Sequence, residues 1–242
     1  MLTVEYGDSQ GPTQPLLVFL HGFPGLRSKQ NRDLAEQAAN GVSGKSFVAL
    51  YSGLGQAPGQ FSFSGCLLDV RGFFHDLMTK WPDRQFTLVG HSWGGLMALI
   101  LASEFPSRIH SLVLLSPLLD FKGENGQGIG REEFIEMGRE HPEISFGGAD
   151  FLSADFDNLG KQIDIPAVIE KIPAQTQILF LQAKNDKITP ESVAKQLLPH
   201  FRATVSYREI EVDHSFLGEG RSEVSRFICA HVALSQQKAM SK

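Results

Sequence analysis

The chain has 242 residues, of which 42% are hydrophobic and 20% charged. That is the length of one domain with apolar mass for a sizeable core, so intrinsic disorder is excluded. A net charge of −5 argues against nucleic-acid binding, which needs a basic surface, and no apolar run reaches the roughly 18 residues of a membrane span.

The N-terminus, MLTVEYGDSQGP, lacks a basic stretch followed by an apolar one, so no signal peptide is read there. Cys66 and Cys229 are too few for a disulfide framework or a Cys-based metal site. These features predict a cytoplasmic globular protein whose single domain spans residues 1–242. A short strand is predicted at Thr3–Tyr6, and Leu16–Leu20 is an unbroken apolar run that stops at His21-Gly22. A helix over Ser28–Asn40, a strand over Ser46–Tyr51 and a helix over Gly65–Lys80 follow. Next come a strand over Phe86–Val89, a helix over Trp93–Phe105 and a strand over Ile109–Leu115, the last stopped by Ser116-Pro117. The closing elements are a strand over Gln177–Leu181, a helix over Pro190–Phe201 capped by Thr189, a strand over Thr204–Val212 and a helix over Glu219–Leu234. Unbroken apolar runs read as strands buried on both faces. Their alternation with helices predicts an α/β fold, with a parallel sheet covered on both sides. Only fifteen residues precede Leu16, so six parallel strands are expected with at most two short N-terminal edge strands.

About sixty residues separate the strand ending near Leu115 from the one starting near Gln177, more than a crossover needs. They include the Gly-rich segment Gly123–Gly130, a charged helix over Arg131–Glu140 and a helix over Ala167–Lys171. The excess, residues 118–172, is predicted to be a small lid, with Gly123–Gly130 mobile and gating entry.

Gly90-His91-Ser92-Trp93-Gly94 matches the pattern G-x-S-x-G. Between a strand and a helix that pattern makes a nucleophile elbow. Glycines let the turn close tightly, and the serine hydroxyl projects above the sheet. Gly7-Asp8-Ser9-Gln10-Gly11 also fits, but it runs into Pro12 and reads as a polar turn. A nucleophilic serine needs a base and an orienting acid. In the order Ser, acid, His, the residues that follow later strands are Asp186 and His214. Both fall at carboxyl ends of strands, where open α/β sheets carry their sites. Asp120, after the fourth parallel strand, is an alternative acid. His75 and His231 lie inside helical patterns, His91 adjoins Ser92 on a turn whose neighbours point apart, and Asp213 reads as outward-facing or a turn cap. An oxyanion hole needs two backbone N–H donors. Trp93 supplies one at the positive end of its helix, and Phe23, in the loop His21-Gly22-Phe23-Pro24-Gly25, supplies the other. Dinucleotide, P-loop and zinc-ligand spacings do not occur, so neither cofactor nor metal is expected.

Together HGFPG, GHSWGG, Asp186 and His214 resemble the α/β-hydrolase superfamily over Leu16–His214. Tyr51–Gly59 resembles that family's glycine-rich segment after the next strand. The resemblance implies the α/β-hydrolase fold: a mostly parallel sheet of six to eight strands, with helices on both faces and a small lid. It also implies a serine hydrolase that cleaves a carboxylic ester or related acyl bond of a small molecule through an acyl-enzyme. Serine at position 92 argues against relatives of similar fold that use Asp at the elbow, the epoxide hydrolases and haloalkane dehalogenases. A serine peptidase, a carbon–carbon bond hydrolase and a non-catalytic binding module of the same fold stay open. Phe121, Ile129, Phe134, Ile135, Phe146, Phe151, Leu152 and Phe156 are candidates for lining an acyl pocket or for packing a helical layer.

Overall fold

The computed structural model describes residues 1–8, 11, 13–25, 29–121, 136, 139–141, 143–218 and 220–240. Strands β1 (Leu2–Tyr6), β2 (Leu16–Leu20), β3 (Lys45–Leu50), β4 (Phe86–His91), β5 (Ile109–Leu115), β6 (Gln177–Ala183) and β7 (Val205–Ile210) form one sheet in the order β1-β3-β2-β4-β5-β6-β7. Six strands run parallel, and β1 pairs antiparallel with β3, Leu2 facing Leu50 and Tyr6 facing Ser46. The expected six parallel strands are present, with one N-terminal edge strand.

The burial pattern follows from position in the sheet. β2 and β4, flanked by strands and covered on both faces, are buried at every residue, whereas the edge strand β7 has one buried residue in six. Successive side chains of a strand point to opposite faces, and the core divides accordingly. Leu16, Val18 and Leu20 pack in one layer with Phe47, Leu88, Leu112 and Phe180. Leu17 and Phe19 pack in the other with Val48, Val113 and Leu181. Helices α1 (Arg32–Gly41) and α7 (Gly220–Met240) cover the second layer through Leu34, Ala38, Val224 and Ile228. Helices α2 (Phe63–Lys80) and α3 (Trp93–Glu104) cover the first. Residues Trp93 to Ala102 of α3 are all buried, as an apolar helix enclosed on every side requires.

The helix predicted from Ser28 begins at Arg32. Lys29, Gln30 and Asn31 each have positive φ, a left-handed lead-in, and the Asn31 side chain accepts from the Arg221 guanidinium instead of capping the helix. The helix predicted over 190–201 is α6 (Glu191–Leu197) plus a short 3₁₀ turn, Leu198–His200. Between β5 and β6 lie α4 (Ala149–Gln162) and α5 (Ile165–Glu170). The sequence reading missed α4, whose interior carries Asp155, Asp157, Asn158 and Gly160, weak helix formers. Tertiary burial of Leu152, Phe156 and Leu159 on one stripe holds it in place, and Ser64 at the start of α2 donates to Asp155 from its backbone N–H at 3.0 Å. Helix α5 starts where Asp164 accepts from the Ala167 N–H, with Pro166 in its first turn. The predicted segment Gly123–Gly130 and most of the helix predicted over 131–140 lie outside the described residues.

Strand order reverses at β2. The chain passes from β2 to β3 on one side, then crosses to β4 on the other and continues outward to β7. Carboxyl ends of strands beside such a switch point leave a crevice for ligands. The loops at 21–25, 92, 186 and 214 all leave carboxyl ends of strands.

Candidate active site

Ser92 stands between β4 and α3 with φ 53° and ψ −119°, a conformation strained for a residue with a side chain. The turn is held on both sides. The Ser92 N–H donates to the Leu115 carbonyl at 3.0 Å, and the Ser92 carbonyl accepts from Gly95 and Leu118 at 2.9 Å. A Cβ at Gly90 would lie 2.5 Å from the Gly94 carbonyl oxygen, and one at Gly94 would lie 2.1 Å from the Leu20 carbonyl oxygen. These two positions therefore admit only glycine. Ser92 is 1% exposed, and among the described residues its hydroxyl meets no hydrogen-bond partner. As first residue of α3, Trp93 presents a backbone N–H that has no intrahelical acceptor.

Asp186 and His214 come together because β6 and β7 stay paired beyond their ends. The N–H groups of Lys184 and Asn185 donate to the Ile210 and Val212 carbonyls at 2.9 and 3.3 Å. His214 Nδ1 lies 2.8 Å from Asp186 Oδ2, with the Asp186 side chain fully buried and that of His214 15% exposed. Asp186 Oδ1 accepts from the backbone N–H groups of Ile188 and Thr189 at 2.9 and 2.8 Å. The Thr189 hydroxyl lies 2.9 Å from Asp186 Oδ2 and 3.2 Å from the Ser116 carbonyl. Burial pushes the Asp186 carboxyl up, but His214 beside it, the Thr189 amide and the Ser116 hydroxyl outweigh burial and hold it below the usual range. An ionised Asp186 accepts the Nδ1 proton of His214, which leaves Nε2 of the neutral ring as the acceptor.

Ser92 and His214 line one cavity of about 290 Å³ together with Gly22, Phe23, His91 and Ile188. The structure thus gathers Ser92, His214 and Phe23 at one opening, with Trp93 next to Ser92 and Asp186 behind His214. The carboxylate that meets His214 is Asp186; Asp120 borders a separate, smaller cavity. His75 is exposed, and His231 lies 2.9 Å from the Ser111 hydroxyl under α7. Asp213 caps its own turn, accepting from the Ser215 N–H at 2.9 Å.

Three supporting residues escaped the sequence reading. Thr189 holds Asp186 rather than capping α6, whose N-terminus has no side-chain cap. The spacing Asp186-x-x-Thr189 carries a legible signal, an Asp that accepts from amides two and three residues on. His91 donates from Nε2 to the His214 carbonyl at 2.7 Å and so anchors the backbone of that residue; burial, with His214 nearby, pushes its imidazole down to about 3. His21 donates from Nδ1 to the Gly22 carbonyl at 2.7 Å and stacks on Tyr51 at 4.1 Å, which fixes the start of the loop that bears Phe23. Burial pushes the His21 imidazole down to about 4.

Among the described residues, the aromatics of the insertion do not line the cavity. Phe121 and Phe156 are buried against each other, with Leu152 also buried, and Phe151 is 54% exposed. Of the two readings, Phe121, Phe146, Leu152 and Phe156 fit the packed helical layer, and Phe151 fits neither; Ile129, Phe134 and Ile135 lie outside the described residues. The loop 51–59 serves as a seat for the far end of the insertion: the Gly55 N–H donates to the Glu143 carbonyl at 3.1 Å, and the Ser145 N–H to the Gly53 carbonyl at 2.8 Å. Among the described residues no cluster of metal-ligating side chains forms, and no helix is long and apolar enough to cross a membrane.

Residues 15–140 match the family model described as alpha/beta hydrolase fold. The monoglyceride lipase of Mus musculus is 28% identical over 122 residues, which are 49% of this chain and 40% of that protein. The chain spans about two fifths of the length of the curated relatives it matches. Among solved structures, Est1E from Butyrivibrio proteoclasticus superposes with a TM-score of 0.72 at 13% identity, over 96% of this chain and 93% of that one. The Paleococcus ferrophilus monoacylglycerol lipase does so with a TM-score of 0.64 at 17% identity, over 95% and 98%. At such identities these structures speak to the fold alone.

Proposed function

Given that the chain belongs to the alpha/beta hydrolase fold family, we propose that it is a serine hydrolase acting on a carboxylic ester of a small molecule, with Ser92, His214 and Asp186 as its triad. The observation that carries this reading is the 2.8 Å contact of His214 Nδ1 with Asp186, in one cavity with a serine on a strained turn. The Ser92 hydroxyl, unpartnered at rest, turns to His214 Nε2 and attacks the ester carbonyl as the ring takes its proton. Asp186 stays ionised, fixes the tautomer and stabilises the imidazolium. The N–H groups of Phe23 and Trp93 receive the charge on the tetrahedral oxygen. Collapse of that intermediate expels the alcohol, which takes the proton from His214. Water then repeats the sequence on the acyl-enzyme and returns Ser92 to its free form. Residues 118–172 act as a lid on this single domain.

The test is hydrolysis of p-nitrophenyl acetate and butyrate by the wild type and Ser92→Ala. Loss of the nucleophile is expected to cost more than the roughly 10²–10³ in rate that one oxyanion donor supplies. Activity that survives the substitution unchanged contradicts the assignment.

A further inference from the structure

We propose that an aromatic wall behind Phe23 restricts this site to esters of short acyl chains, an inference that rests on the serine-hydrolase reading above. The cavity, about 290 Å³, lies at the lower limit of the roughly 300–1,000 Å³ found for pockets that enclose drug-sized ligands. It must hold the acyl group, the reacting carbonyl and part of the alcohol.

Phe23 lines the cavity, and its ring is buried. Phe61 stacks behind that ring at 4.7 Å, and Phe63 closes on it at 5.4 Å. Phe61 and Phe63 meet edge to face at 5.1 Å, and Phe63 meets Trp93 at 5.0 Å and Phe156 of α4 at 4.8 Å. Each of these rings is buried. An acyl chain that extended past Phe23 would have to displace side chains packed at the density of a protein interior. The layer under the lid is therefore filled by the protein's own rings. Beside Pro24 and Ile188, the lining also carries the polar side chains of Asn185, Lys187, Asp213 and Ser215. A long alkyl chain laid there would cover charged and hydrogen-bonding groups at a desolvation cost. A cavity of this volume, backed by packed rings, leaves little room for a trough in which successive methylenes gain by burial.

In an enzyme with such a trough, each added methylene raises kcat/KM about fourfold, the value of its burial. In this protein kcat/KM is expected to peak between acetyl and butyryl and to fall beyond hexanoyl. The experiment measures kcat/KM of the full chain on p-nitrophenyl esters from acetyl to palmitoyl, for the wild type, Phe61→Ala and Phe61→Leu. Shrinking Phe61 lets the Phe23 ring swing back, so the octanoyl-to-acetyl ratio should rise by roughly fifteenfold in Phe61→Ala, two methylenes' worth, and less in Phe61→Leu. Should the alanine variant fail to fold, the leucine variant carries the comparison. A wild-type optimum at decanoyl or longer, or a folded Phe61 variant with the wild-type profile, overturns the inference and leaves the triad intact. Absence of hydrolysis of every ester overturns the triad reading and this inference with it.

Discussion

Replacing Gly94 by alanine should cost both stability and rate. The added Cβ would lie 2.1 Å from the Leu20 carbonyl oxygen, 2.4 Å from its carbon and 2.6 Å from the His21 carbonyl oxygen. Ordinary carbon–oxygen contacts are about 3.3–3.6 Å. All three atoms are backbone, so no side-chain rotation relieves the overlap; β2 and α3 must separate by more than an ångström. Overpacking of this kind costs about 1–3 kcal/mol, and the rigid partners favour the upper end. For a chain of this length about 3 kcal/mol is a fall of roughly 6–12 °C in Tm. The same separation moves Phe23, which follows His21, away from Trp93. It should cost at least the roughly 10²-fold in kcat of one oxyanion donor. Gly72→Ala is the matched control. A Cβ there meets nothing within 4 Å, and the site is exposed inside α2. Alanine is favoured over glycine in a helix by about 0.5–1 kcal/mol, so Tm should rise slightly with kcat unchanged. Thermal melts and ester turnover measure both. A Gly94→Ala protein with wild-type Tm and kcat would refute the packing account of the elbow.

Asp186→Asn should keep the fold and lower kcat by about 10³–10⁴, because an amide does not hold the His214 tautomer; a loss under tenfold would show that another acid serves. Thr189→Val removes one hydroxyl donor to Asp186 and leaves its two backbone donors, so kcat should fall roughly tenfold, the worth of one hydrogen bond to a charge. Thr189→Ser should restore most of it, and equal rates in valine and serine variants would contradict that role. Stability should fall with acid well before carboxylates titrate. Burial holds the imidazoles of His21, His110 and His231 down to about 4 and that of His91 to about 3. The unfolded chain takes up their protons near pH 6.5, so each contributes a loss of up to about 1.4 kcal/mol per pH unit below that. Asp186, with its carboxyl held low, adds loss only below the usual carboxylate range. Equal Tm at pH 7 and pH 5 would contradict this.

What a short window of sequence encodes was legible. Leu16–Leu20 and Phe86–Val89 are apolar at every position because both faces of a central strand are covered, and the glycines around Ser92 report the closeness of a strand, a turn and a helix. Asp186 and His214 were legible from chain order and from their place after strands. Contacts between distant segments were not. The bonds of Thr189 to Asp186 and of His91 to the His214 carbonyl depend on how β4, β6 and β7 end beside one another. Helix α4 was hidden because its burial outweighs its weak local propensity. Phe61 and Phe63 precede or open α2, and nothing in their own stretch shows that they back Phe23. The Phe residues between β5 and β6 left open whether they line a pocket or pack a helical layer; Phe121 and Phe156 pack, with Phe156 against Phe63.

The most direct test of the central claim is covalent labelling of the folded protein with a fluorophosphonate, followed by mapping of the modified residue. The account predicts one modified serine, Ser92, with labelling abolished in Ser92→Ala and slowed at least roughly 10³-fold in His214→Ala, the scale lost when a triad member is removed. Folded wild-type protein that takes no label, or takes it at another serine, would contradict it and leave the fold as a binding module.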